Sequence, residues 1–173
     1  EKKCPKPSCL FPFCQNMSRI SKITLKQLPE MNFLSIRKTI NFFREYPDFM
    51  ANAGRDILAL IEEKKTLPSS GPIVCFHNIE LETLDVEVGY EIALPVEPRG
   101  DVTAHILPSR IIATTIDRGP YEKQDATLDE LMKWISENSF VANGGIYYHY
   151  LNDEKQSQNE YLTEMYIPVN KLQ

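Results

Sequence analysis

From residue 22 onward the chain alternates apolar and polar side chains, shifts to a helical period, and returns to alternation, and it does this twice. Ile23, Leu25 and the run MNFLSIRKTI (31–40) read as two strands about a turn marked by Pro29. Ile57, Leu58, Leu60 and Ile61 then fall at helical spacing within 53–65, and residues 62–65 are polar. Two further strands follow, 73–79 and 86–94, with Pro72 and Pro95 at their ends. The second round gives strands over 102–107 and 110–117, a helix over 125–138, and strands over 146–151 and 161–167. Asp125 or Thr127 can cap that helix, and Gly144 lies beyond its end.

Each round is therefore ββαββ, and the residues themselves repeat. KITLKQLPEMNFLSI (22–36) pairs with DVTAHILPSRIIATT (101–115), setting Leu28-Pro29 on Leu107-Pro108. GRDILALIEE pairs with TLDELMKWISE, matching Asp56 to Asp129, Leu58 to Leu131 and Ile61 to Trp134. GPIVCFHN pairs with GGIYYHYL, and YEIALPV with TEMYIPV. The offset is 79 before the helix and 73 from the helix onward, which puts six extra residues within NFFREYPDFMANA of the first round. One half offers a single helix to cover its sheet, too little core to stand alone. The expectation is an α+β fold: a pseudo-twofold duplication of ββαββ forming one antiparallel sheet, with both helices on one face and a ligand cleft between the halves. Residues 1–20 form a tail rich in Cys and Pro. Residues 21–171 form the domain, with repeat one at 21–98 and repeat two at 99–171.

Composition narrows the function without choosing it. In 173 residues, 42% are hydrophobic and 25% charged, ordinary for a globular protein. A net charge of −5 argues against direct nucleic-acid contact from this segment. No apolar run approaches a membrane span and no signal peptide is read, so a reducing, cytoplasmic setting is expected. No Walker loop, HExxH, dinucleotide glycine pattern or Ser-His-Asp spacing occurs, and no cofactor is implied. Cys4, Cys9 and Cys14 lie at x4 spacing in the tail. That is looser than the CxxC pairs of zinc sites, although Cys75 or His77 could complete a set. His77 and His105 otherwise read as ordinary strand histidines.

DRGPYEKQDATLDELMKWISEN, then GGIYYHY and TEMYIPV, resemble the GyrI-like family, in particular the Gly119-Pro120-Tyr121 turn, the Trp134-Ile135 pair and the Glu-x-x-x-Pro-Val ending. Those are small-molecule-binding domains attached to many MerR- and AraC-type bacterial transcription regulators, and also found alone. The resemblance covers the chain after the tail. It implies an aromatic-lined cavity in which a last-strand glutamate, by position Glu164, pairs with flat, apolar cations. It also implies an upstream or partner DNA-binding domain. The first half departs from the pattern, with FREYPDFM in place of a Gly-Pro-Tyr turn.

Alternation supplies the site residues. Tyr161, Thr163, Met165 and Ile167 suit the helix face, leaving Glu164 and Tyr166 on the opposite one. A sheltered, unpaired carboxylate is costly or takes up a proton, and a bound cation relieves that. Glu91 is the twin of Glu164 by the repeated motif, with only Ala93 beside it. Tyr147 and His149 point one way and Tyr148 and Tyr150 the other. Both faces are aromatic; Tyr148 and Tyr150 are favoured for a planar ligand. Tyr121 suits a pocket rim, and Trp134 a core position with its ring edge at the pocket. The leading expectation is a multidrug or effector-sensing module in which Glu164→Gln weakens cationic dye binding tenfold or more. The rivals are a hydrolase of strained-ring cytotoxic compounds using a Glu164 of raised pKa, and a metal- or redox-responsive protein run by the cysteine tail.

Overall fold

The structure is a computed structural model that describes residues 18–152 and 155–173. Its elements follow the expected order: β1 (Thr24–Leu28), β2 (Met31–Ile40), α1 (Phe42–Glu63), β3 (Ile73–Phe76), β4 (Leu84–Ile92), β5 (Thr103–Leu107), β6 (Arg110–Arg118), α2 (Asp125–Glu137), β7 (Phe140–Ala142), β8 (Ile146–Tyr150) and β9 (Leu162–Lys171). One antiparallel sheet carries them in the order β1-β6-β9-β8-β3-β4-β2-β5, with β7 on β9. Both helices lie on one face. Ile57, Leu60 and Ile61 of α1 and Leu131 and Ile135 of α2 share a core with Leu34, Val74, Val88, Ala113, Met165 and Ile167. The other face has its own apolar cluster of Leu28, Phe33, Ile73, Cys75, Ile112, Tyr147 and Tyr166. No described helix is long and apolar enough to cross a membrane.

The Pro-marked turns do not close hairpins. β1 pairs with β6 of the other half, and β5 pairs with β2. Thr24 opposes Thr114 while Thr103 opposes Ser35, so the exchange is reciprocal at the 79-residue offset. Because β1 and β5 are the two ends of the sheet yet join through short turns to β2 and β6, the sheet curls until its ends approach. There Gln27 donates to the Ser109 hydroxyl (2.7 Å), which donates to the Leu28 carbonyl (3.1 Å).

The helix α1 starts eleven residues before the expected Ala53, at Phe42. Its cap is reciprocal: the Asn41 side chain accepts from the Arg44 N–H, and the Glu45 carboxylate accepts from the Asn41 N–H at 2.6 Å. Pro47 stands inside the helix, where one i→i−4 bond is forfeited and the periodic signal is broken. Asn41→Ala is expected to lower stability by about 1 kcal/mol, read as a lower urea midpoint; an unchanged midpoint would dismiss the cap.

The helix alignment also shifts by one. Ala53, Ile57 and Ile61 are buried in α1, and Thr127, Leu131 and Ile135 in α2, each pair 74 positions apart. Leu58, expected opposite Leu131, is instead 41% exposed. Lys65 (φ 54°) and Ser139 (φ 62°), just past the two helices, keep that same spacing.

Candidate functional site

Four elements contribute tyrosines to one groove on the helix face. Tyr46 comes from the second turn of α1, Tyr90 from β4 and Tyr150 from the end of β8, and Tyr121 follows Gly119-Pro120 ahead of α2. Pro47, Met50, Ala51 and Gly54 of α1 make one wall, Val88 and Pro72 belong to the floor, and Asn152 and Lys155 sit at the far side. The groove, open to solvent on one side, offers about 900 Å³, ample for a drug-sized molecule. Tyr121 meets Tyr150 at 5.0 Å between ring centres and stacks on Tyr161 at 4.9 Å and 22°. Burial raises the phenols of Tyr46, Tyr90 and Tyr150, so they remain neutral hydrogen-bonding groups on apolar walls. The Tyr46 and Tyr150 side chains are also close enough to influence one another electrostatically.

The positions expected to act together are divided by the sheet. Tyr150 and Tyr121 line the groove. Tyr148 lies beneath it, buried against Phe76 at 5.3 Å. Trp134 stacks on Phe140 (6.4 Å, 11°) and does not reach the groove. Glu164 and Tyr166 are on the opposite face, as alternation required, and so do not meet Tyr148 or Tyr150. Glu91 of β4, paired with Phe33 of β2, shares that opposite face and does not line the groove. Cys4, Cys9 and Cys14 fall outside the described residues. Cys75 is buried, with its thiol pushed up to about 12 by desolvation, and no described group of three or more His, Cys, Asp or Glu is placed to hold a metal.

Glu164 is sheltered but not unpaired. Its side chain is 15% exposed, accepts from the Thr114 hydroxyl at 2.9 Å, and stands 3.4 Å from Lys26 Nζ and 3.6 Å from His149 Nδ1. The neighbouring His149 imidazole first, then Thr114 and Lys26, hold its pKa down to about 2 against the cost of burial. This reverses the expected rise: Glu164 is an anion near neutral pH and no reservoir for a catalytic proton.

Its structural counterpart is Glu87, not Glu91. Glu87 accepts from Ser35 Oγ at 2.5 Å, and its oxygens meet His77 Nε2 at 2.8 Å and His105 Nε2 at 3.4 Å. Burial favours the neutral acid there, but the bonds from His77 and Ser35 outweigh it and the pKa falls. Ser35 and Thr114, and likewise Lys26 and His105, are 79 positions apart, so matching side chains surround the two carboxylates. Sequence reasoning missed Glu87 because 151–161, between β8 and β9, is longer than 77–83, between β3 and β4. It also missed Tyr46 and Tyr90; the departure FREYPDFM was the signal for the first.

Comparison with known proteins agrees with this fold. The family model of the GyrI-like small molecule binding domain matches residues 21–170. No curated protein sequence matches the chain. Among solved structures, the C-terminal domain of EcmrR superposes with a TM-score of 0.79 at 20% identity, over 87% of this chain and 98% of that one. EcmrR in an EcmrR–DNA complex gives 0.76 at 22% identity, where the match covers 87% of this chain but only 58% of that one. A hydrolase from Listeria innocua gives 0.60 at 16% identity, over 84% of this chain and 91% of that one.

Proposed function

The chain belongs to the GyrI-like family of small-molecule-binding domains, and from that premise we propose that it binds planar, largely apolar molecules in the tyrosine groove beside α1. The observation that carries this reading is the convergence of Tyr46, Tyr90, Tyr121 and Tyr150 on one cavity walled by Met50 and Pro47. Aromatic faces at this density stack flat rings, and ring pairs add roughly 0.5–1.5 kcal/mol beyond area burial. A cationic ring system gains cation–π attraction from the same faces. The ion pair with Glu164 drops out of the reading, because that carboxylate lies across the sheet with Thr114, Lys26 and His149 around it.

The test is a fluorescence titration with a planar dye such as ethidium. Tyr150→Ala should weaken binding by about tenfold, in line with loss of a central aromatic anchor. Glu164→Gln should leave affinity within about twofold where it stays folded. Undiminished binding in Tyr150→Ala, with loss in a folded Glu164→Gln, would transfer the site to the other face.

The module would act as an effector sensor whose state is read by a DNA-binding segment in the same or a partner polypeptide. EcmrR occurs in complex with DNA, and this chain spans 58% of that longer protein. In a hydrolase reading Glu164, held ionised, would position water or act as a base and not as the acid.

A further inference from the structure

A second site stands at the end of the sheet where the turn before β6 meets the C-terminal end of β9. We propose that it binds the carboxylate of a small apolar acid through Arg110. The proposal is independent of the tyrosine groove.

Arg110 lines a cavity of about 770 Å³ together with Tyr147, Phe140, Asn143, Leu25 and Lys171. Its guanidinium lies over the Tyr147 ring at 5.5 Å, and Tyr147 is stacked on Tyr166 at 4.8 Å and 7°. Only Nη1 is satisfied, donating to the Pro108 carbonyl at 3.1 Å. Among the described residues Nε and Nη2 are shielded from solvent and have no hydrogen-bond partner at proper geometry; the Tyr166 hydroxyl is their near neighbour, close enough for the guanidinium to favour its ionised form.

Those two nitrogens are the edge of the guanidinium that grips a carboxylate in parallel. This chain uses the same edge elsewhere: Arg37 Nε and Nη2 donate to the two oxygens of Asp85 at 2.8 and 2.6 Å. Arg19, Arg37, Arg55 and Arg99 each have a carboxylate partner. Arg44 and Arg118 have none among the described residues but are exposed to water. Arg110 combines burial of its fork with the absence of a described counter-ion. A buried charge without compensation is costly, and an orphaned donor pair of this shape calls for an acceptor.

The cavity indicates what accompanies the carboxylate. Phe140, Leu25 and Tyr147 give it apolar walls, so the acid carries a ring or short aliphatic body, while Lys171 adds a second cation. A carboxylate in the cavity would engage the fork by a side-chain rotation of Arg110, which already lines that cavity.

Calorimetric titration of the whole chain with 3-phenylpropionate, its neutral amide and inorganic phosphate tests the proposal. The acid is expected to bind at least about tenfold more tightly than the amide or phosphate. Arg110→Lys keeps the charge but loses the fork, and should weaken the acid by about tenfold. The acid-to-amide ratio needs no variant, so it stands even where Arg110→Lys misfolds. A Gly54→Trp variant, altered in the tyrosine groove, should bind the acid as wild type does. Equal affinity for acid and amide, no heat from the acid, phosphate binding as tight as the acid, or full affinity in a folded Arg110→Lys would each overturn the assignment.

Discussion

Gly54→Trp is expected to reduce planar-dye binding by about a hundredfold or more while leaving the protein at least as stable as wild type. Gly54 lies mid-helix on the groove wall, and a side chain started there meets no atom within 4 Å. An indole would therefore project into the ligand's space without displacing the core residues Ala53 and Ile57 next along the helix. Replacing a helical glycine with tryptophan also recovers part of the roughly 0.5–1 kcal/mol that glycine costs relative to alanine. The predicted signature is thus a loss of binding with an equal or higher melting temperature, which separates blocking from unfolding. Full dye affinity in a folded Gly54→Trp protein would show that the ligand sits elsewhere.

The second large effect concerns acid stability. The Glu164 carboxyl, ordinarily near 4.5, is held at about 2 in the folded chain. A carboxylate whose pKa falls on folding contributes stability that is present above its unfolded value and is lost as pH drops through the folded one. The window is therefore about pH 4.5 down to 2. With its side chain 15% exposed, screening reduces the full linkage, leaving roughly 2 kcal/mol at neutral pH. Glu164→Gln should lose about that much at pH 7 and converge on wild type near pH 2, as measured by urea unfolding at pH 7, 4 and 2.5. A pH-independent gap between the two proteins would rule out this linkage. Glu87, also depressed by its partners, deepens the wild-type acid transition in the same direction.

These two carboxylates make the curled face of the sheet a charged structural layer, with His77, His105, His149 and Lys26 as partners. On the proposed reading, ligand capture falls to the tyrosines on the other side. The separation follows from strand geometry: neighbouring residues on a strand face opposite ways, so His149 reaches Glu164 while Tyr150 reaches the groove.

Local chemistry made much of the fold legible. Period-two runs announced the strands, the spacing of Ile57, Leu58, Leu60 and Ile61 announced α1 although Leu58 turned out exposed, and Pro29 and Pro108 marked the matching turns. The start of α1 was hidden because Pro47 interrupts the period and the cap at Asn41 works through a tertiary-free but unpatterned pair with Glu45. The short β7 was hidden because its three residues, Phe140–Ala142, carry too few positions to show any period.

The residues alone determined the alternation that puts Glu164 across the sheet from Met165, the helix stripe, and the resemblance between the two halves, because each depends on neighbours a few positions apart. Only the tertiary structure decided that Glu87 matches Glu164, that the Arg110 fork has no carboxylate partner among the described residues, and that tyrosines from four elements converge. Those outcomes depend on strand register and loop length between distant segments, where a few added residues in one connection change which side chains meet.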